Sequence, residues 1–162
     1  MSARLTDPYI ERLIGERKPL PSDYRSRLRL REKRGHDEQE LDVQGDGGSV
    51  FRLVLRKSRL NAMDFSVILG YFPELSAQMF RLRRYNGKSH AHTNQIERVT
   101  FYDFHIHHAT ERYQDLGLRE DTYAVVTDRY GDFDGALSCM LTDCGFQLPD
   151  DPQQQLFGAQ PW

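Results

Sequence analysis

The histidines of this chain are the residues whose spacing most strongly suggests chemistry. Five of its six histidines lie between positions 90 and 108, and His90–x–His92 and His105–x–His107 form two pairs. If the second pair lies in a strand, Asp103, His105 and His107 share one face, because strand side chains alternate. Imidazoles and carboxylates bind zinc, manganese or iron. The pattern therefore suggests a divalent metal as cofactor, with His90, His92, Asp103, His105 and His107 as ligands.

The same strand would direct its intervening residues, Tyr102, Phe104 and Ile106, toward the core. Two other interpretations of the histidine face stay open. It can be a site without metal, since imidazole transfers protons near neutral pH. It can also be an ordinary polar face of an antiparallel strand.

A second set of residues contains the parts of a metal-independent ribonuclease. His105, His107, Glu111 and Arg112 lie within eight positions of one another. One group can take the proton of a 2′-hydroxyl, a second can protonate the leaving oxygen, and an arginine can stabilise the negative phosphorane. These four residues form the candidate catalytic set.

Arginines also recur at alternate positions, which predicts a basic sheet face. Even in a chain of net charge −2, basic residues that are segregated from the acidic ones can attract a polyanion. Outward-facing Arg and Lys also protect a sheet from edge-to-edge aggregation, which is the alternative interpretation. The residues expected to bind RNA or DNA, with one aromatic ring for stacking on a base, are Arg27, Arg29, Arg31, Arg52, Arg56, Arg81, Arg83, Lys88 and Tyr85. Tyr102 and Tyr113 are further stacking candidates.

Residues 80–146 resemble a family of uncharacterised bacterial proteins of the genomic-island and prophage type. The segments that carry this resemblance are RLRRYNGKSH (81–90), HTN (92–94), FYDFHIH (101–107) and ATERY (109–113). The resemblance implies a defence or mobile-element context and supplies no mechanism.

Two shorter motifs resemble those of known hydrolases. Residues 103–107 resemble the Asp-x-His-x-His strand of the polymerase-and-histidinol-phosphatase superfamily and of amidohydrolases. Only 55 residues follow His107, too few to complete such a barrel. Residues 108–110 resemble the His-x-Thr element of two-histidine phosphoesterases, but no second, well-separated element accompanies it. Neither function is carried over.

The helices and strands that must position these residues are predicted from the spacing of apolar residues and from capping and turn residues. Asp7 and Pro8 predict the start of an N-terminal helix, and apolar residues at helical spacing predict a C-terminal helix that begins at Asp132 or Asp134 and ends at Gly145. Between them, alternating segments predict strands at 25–33, 41–43, 50–57, 62–72, 78–84, 101–110 and 124–127. Short connections favour antiparallel pairing. We expect an α+β protein with an antiparallel sheet of about five strands.

Length and composition limit the organisation of the chain. The 162 residues suit one domain, expected at 1–147, with a flexible Pro/Gln-containing tail at 148–162. No segment suggests a signal peptide or a membrane span, so we expect a cytoplasmic protein with Cys139 and Cys144 as free thiols.

Three functions are compatible with the sequence. The leading one is a nucleic-acid-associated protein, RNase-like and part of a defence or toxin–antitoxin locus. A second is a partner-binding module of the antitoxin or inhibitor type without catalysis. A third is a metal-dependent hydrolase at the histidine pairs.

Overall fold

The computed structural model describes residues 4–149 as an α+β fold with four helices and a seven-stranded antiparallel sheet. Of the expected tail, only Leu148 and Pro149 lie within the described residues. The elements in chain order are α1 (Asp7–Gly15), β1 (Lys18–Pro19), α2 (Tyr24–Arg27), β2 (Arg31–Lys33), β3 (His36–Gln44), β4 (Val50–Ser58), β5 (Phe65–Phe72), β6 (Phe80–Asn86), β7 (His92–Asn94), β8 (Val99–Phe101), β9 (His105–His108), α3 (Glu111–Asp115), β10 (Ala124–Val126), α4 (Phe133–Asp143) and β11 (Phe146–Gln147).

The large sheet has the strand order β10-β9-β6-β5-β4-β3-β2. Its two edge strands, β10 and β2, have three residues each. Because such short strands show little alternation, the sequence predicted about five strands instead of seven. The small pairs β1–β11 and β7–β8 lie outside this sheet. No helix within residues 4–149 is long and apolar enough to cross a bilayer.

One face of the large sheet packs against the helices. Phe65, Val67, Leu69 and Tyr71 of β5 are buried on it, as their alternation predicted. Helix α4 contacts β5 and β6, and α1 adds three buried residues to the same core. The buried residues of α4 and its C-terminal cap are those with predicted helical spacing: Phe133, Ala136, Leu137, Met140, Leu141 and Cys144.

The ends of the two longer helices follow their capping residues. Asp132 caps α4 by accepting a hydrogen bond from the Gly135 amide at 2.7 Å, and Gly145, at φ 76°, ends it. The cap of α1 is Thr6, whose Oγ1 accepts from the Tyr9 amide at 3.3 Å. The predicted cap, Asp7, is instead the first residue of the helix.

The predicted strand at 25–33 is wrong. Helix α2 occupies its first part, and only Arg31–Lys33 is a strand. Tyr24 and Leu28 are 0% and 4% exposed, and their spacing of four places both on the buried side of a helical turn. Arg27 and Arg29 therefore lie outside any strand, and no basic strand face forms there.

The predicted strand at 101–110 is divided between two sheets. Phe101 ends β8, the chain turns, and His105 begins β9 in the large sheet. Tyr102 lies in that turn and is 57% exposed, so its predicted place in the core is wrong. The hairpin of β7 and β8 was not predicted, because three-residue strands leave almost no alternation to detect.

Lys18 joins the C-terminal ends of α1 and α4. Its side chain is fully buried, and its Nζ donates to the carbonyl oxygens of Leu13, Ile14, Glu16 and Cys144 at 2.7–2.9 Å. Carbonyls at a helix C-terminus lack partners within the helix and carry partial negative charge, so a buried ammonium satisfies them.

Replacing Lys18 by Met should lower the free energy of unfolding by at least about 3 kcal/mol, because several buried carbonyl oxygens lose their donor. Arg17→Met is the matched control. The Arg17 side chain is 64% exposed, so its replacement should change the free energy of unfolding by less than about 0.5 kcal/mol. Urea denaturation of both variants measures this. Equal effects would show that the Lys18 contacts add no stability.

Candidate metal centre

Three histidines meet above one face of the large sheet. His105 and His107 alternate on β9 and point to the same side, and the β7–β8 hairpin brings His92 beside them. One ring nitrogen from each lies within 4.8 Å of the others. The centroid of the His92 ring is 5.5 Å from that of His105 and 4.8 Å from that of His107. The centroids of the His105 and His107 rings are 4.9 Å apart.

Backbone carbonyls fix the protonation of the two β9 histidines. His105 Nδ1 is 2.7 Å from the Asp103 carbonyl oxygen, and His107 Nδ1 is 2.7 Å from the Asp121 carbonyl oxygen. A carbonyl only accepts, so each Nδ1 must carry the proton and donate. Each Nε2 then keeps a lone pair.

The same argument assigns the proton of His92. Its Nε2 lies 3.0 Å from Asn94 Oδ1, which also accepts from the Ala124 amide at 2.9 Å. Asn94 Nδ2 donates to the Ala124 carbonyl at 2.7 Å, so the amide orientation is set. His92 Nε2 therefore donates, and its Nδ1 keeps the lone pair.

Burial keeps the two β9 imidazoles neutral. Both are 3% exposed. Desolvation lowers the pKa of His105 and lowers that of His107 to about 2, with the Arg84 charge as the second cause for His107. A neutral imidazole with one nitrogen donating to an oxygen is the usual form of a metal-bound histidine.

The spacing suits a small divalent cation after a modest contraction. Zinc–nitrogen bonds of about 2.0–2.1 Å in a tetrahedron place ligand nitrogens roughly 3.3 Å apart. The ring nitrogens lie within 4.8 Å of one another, so binding would require them to approach by up to about 1.5 Å. Three protein ligands leave a fourth position for water or substrate, as in catalytic zinc sites.

The three histidines line a cleft of about 320 Å³. Its other lining residues are Arg84, Asn86, His90, Arg119 and Thr122. Two arginines and no carboxylate line this cleft within the described residues, so it favours an anion.

Asp121 connects the cluster to Arg84 and is a functional residue that the sequence did not reveal. Its side chain is fully buried and its Oδ2 accepts from Arg84 Nε at 3.1 Å, while its carbonyl oxygen orients His107. Residue 121 lies in a loop 14 positions after His107, and no motif links the two.

Three of the five predicted metal ligands come together. His90 lines the cleft but is exposed, and its Nδ1 lies 3.0 Å from Ser89 Oγ. The Asp103 side chain is exposed, and this residue contributes its carbonyl oxygen to orient His105 instead.

The structure places the other two predicted catalytic residues apart from the cluster. Glu111 accepts from Arg4 and from the Asp7 amide, which ties α3 to the N-terminal segment. Arg112 forms an ion pair with Glu97. Neither residue lines the histidine cleft, because α3 begins after β9 has left the site.

The predicted nucleic-acid-binding residues do not form one continuous face. Arg52 pairs with Asp42, and Arg83 lies opposite Leu69 in the sheet. Lys88 Nζ lies 5.1 Å from the centroid of the Phe104 ring. Arg81 donates its backbone amide to Glu120, and Arg56 alone of this set lines a cavity next to the histidine cleft.

The proposed stacking by Tyr85 is wrong for a physical reason. Tyr85 and Tyr113 are both 0% exposed, and their hydroxyls donate to Asp143 and Glu97 at 2.6 Å. A base cannot reach either ring. Among the three tyrosines considered, Tyr102 is the exposed one.

The metal-free protein should lose stability as the pH falls below about 6.5. The pKa of His107 is about 2 in the fold against an ordinary 6.5, so the unfolded chain binds an additional proton in the interval between these values. Stability should fall by roughly 1.4 kcal/mol per pH unit for this histidine. His108, with its pKa lowered to about 4 by burial, adds to the slope above pH 4.

Urea denaturation in a chelator at pH 7.5, 6 and 5 measures this slope. His107→Asn should reduce it by roughly 1.4 kcal/mol per pH unit. Ile106→Val is the control, because it should lower stability by about 0.5–1.5 kcal/mol at every pH without changing the slope. An unchanged slope in His107→Asn would show that His107 is not held neutral.

Comparisons of the chain with protein-family models, with curated proteins and with solved structures found no match. The geometry of the site is therefore the basis for a functional assignment.

Proposed function

We propose that this protein is a metal-dependent hydrolase whose divalent cation, zinc in the simplest case, is bound by His92, His105 and His107. The observation that carries the proposal is the protonation pattern. Each of the three imidazoles donates a hydrogen bond from one ring N–H to an oxygen, and its other ring nitrogen keeps a lone pair. This arrangement fixes ligand orientation and increases ligand basicity.

The same burial argues against the metal-independent ribonuclease. An acid–base histidine works best with a pKa near the working pH. The pKa of His107 is about 2, and that of His105 is also lowered. His107 is therefore unsuited to act as a general acid near pH 7, the lowered pKa of His105 disfavours that role, and Glu111 and Arg112 are engaged elsewhere.

The charge of the cleft indicates the substrate class. Arg84 is held by Asp121 through its Nε, and within residues 4–149 its two terminal nitrogens have no hydrogen-bond partner. Arg119 lines the same cleft and forms no ion pair with a described residue. A planar guanidinium presents paired donors to phosphate oxygens, so the proposed substrate is a phosphodiester.

The proposed reaction is hydrolysis. A metal ion supplies a bound water of lowered pKa. In the attack, the water oxygen forms a bond to phosphorus and the phosphorus–oxygen ester bond breaks. The proton lost by the water ends on the leaving alcohol, and His90, which lines the cleft, is the candidate for this proton transfer. Arg84 stabilises the charge that develops on the phosphoryl oxygens.

A defence or mobile-element context is compatible with such an enzyme. That part of the proposal rests on the resemblance of residues 80–146 alone. Nucleic acid is the abundant phosphodiester in that setting.

The purified, untagged protein should bind about one equivalent of zinc or manganese per chain and hydrolyse bis(p-nitrophenyl) phosphate. A metal at about 100 times its dissociation constant should stabilise the fold by about 2.7 kcal/mol, visible as a rise in Tm. His92→Ala, His105→Ala and His107→Ala should each lose the metal and the rise in Tm.

His90→Ala is the matched control for this experiment. It lines the same cleft but lies outside the cluster, so it should retain the metal and lose only rate. Metal-free wild type that shows no rise in Tm with any added divalent cation would contradict the proposal. The partner-binding function would then be the better hypothesis.

A further inference from the structure

A second cavity of about 450 Å³ continues the histidine cleft across the open face of the sheet. The two cavities share four lining residues, which are Arg84, Asn86, His90 and His105. We propose that this continuous groove, defined as the two cavities together, holds a single-stranded nucleic acid by its phosphate backbone. The inference rests on the proposed function for its reacting end.

The sheet register sets the direction of the groove. His105 pairs with Asn86, Asn86 with Ser66, and Ser66 with Arg56, so these four residues form one row across β9, β6, β5 and β4. With neighbouring strands about 4.8 Å apart, the row extends roughly 14 Å from the metal ligand to Arg56. A linear substrate is needed to occupy both ends.

Polar donors line the middle of the row. Asn86 is 8% exposed, and Ser66 Oγ donates to its Oδ1 at 2.8 Å. Its Nδ2 has no hydrogen-bond partner within the part of the chain that the structure describes. An amide N–H₂ at the wall of a groove can donate to a phosphate or sugar oxygen.

Arginines without an ion-pair partner among the described residues line the end of the groove that is distant from the histidines. Arg34 stands on the two-residue β2–β3 turn, where it and Gly35 have φ of 56° and 87°, and it lines the cavity with Arg56. Neither arginine forms an ion pair with a described residue, whereas Arg52 and Arg59 pair with carboxylates. Asp64 is the one acidic residue among the described residues that line the groove.

The depth of the site favours a single strand over a duplex. His105 and His107 are 3% exposed, so a target phosphodiester must enter the cleft to reach them. A flexible single strand can turn one phosphate into such a recess, whereas the phosphates of a duplex are held along a stiff double helix. The groove walls carry few apolar groups, since Phe65 is 3% exposed. Binding therefore depends on phosphates and has little base preference.

Arg56→Ala and Arg52→Ala form a matched pair on β4. Both side chains point to the same face, but Arg52 pairs with Asp42 and lines neither cavity. Fluorescence anisotropy of a labelled 12-nucleotide single strand, with zinc-loaded protein, measures binding. Arg56→Ala should weaken it by roughly tenfold, the loss of one charge-assisted contact. Arg52→Ala should bind like the wild type.

Salt dependence gives a second measurement. A single strand held by about three arginines should show a slope of log K against log salt near −2, and Arg56→Ala should reduce its magnitude by about 0.7. Both variants should hydrolyse bis(p-nitrophenyl) phosphate at the wild-type rate, because this small substrate occupies only the histidine cleft. The expected result is thus a loss confined to the oligonucleotide.

The outcomes separate the inference from the proposed function. Three results would each contradict the proposed groove without contradicting the hydrolase. They are hydrolysis of the small phosphodiester without binding of the single strand, tighter binding of a duplex or of an acidic peptide, and equal effects of the two variants. A wild-type protein that neither binds a metal nor hydrolyses the small phosphodiester would contradict the proposed hydrolase. Binding of the strand with the expected Arg56 dependence would then still support the groove.

Discussion

The alternation of side chains along β9 is the constraint on which the site depends. Ile106 lies in the core, while His105 and His107 on either side of it reach the opposite face. Pairing with β6 fixes the register, which places His107 opposite Arg84 and His105 opposite Asn86. A slip of one residue would exchange the two faces, so the free energy that buries Ile106 also positions the histidines.

Loop carbonyls orient the pair of buried histidines. Asp103 and Asp121 lie in the loops before and after the strand, and each offers a carbonyl oxygen to one imidazole. The hairpin of β7 and β8 completes the cluster because Asn94 is held by both backbone groups of Ala124 on the edge strand. Two orientations are therefore set by backbone carbonyls and the third by the Asn94 side chain, all from separate parts of the fold.

Charge in the site is organised by the same residues. Asp121 holds Arg84 through its carboxylate and His107 through its carbonyl oxygen, so a cation of the cleft and a proposed metal ligand share one fully buried support. The positive Arg84 also lowers the pKa of His107, which keeps this ligand neutral. An anionic substrate would balance the positive charge that the arginines bring to the groove.

The sequence by itself determined the α+β class, the helix at 133–143, the strands β4 and β5, and the identity of His92, His105 and His107 as potential ligands. These follow from local periodicity and residue chemistry, which a single segment carries. It did not determine α2, because arginines alternate by chance along a turn whose two buried residues are four apart. Only the tertiary structure decided that His92 joins the pair while His90 and Asp103 do not, that Asp121 supports Arg84, and that Tyr85 is buried. The reason is that strand register and hairpin placement join residues distant in the chain, and pairing partners leave no signal in the spacing of one segment.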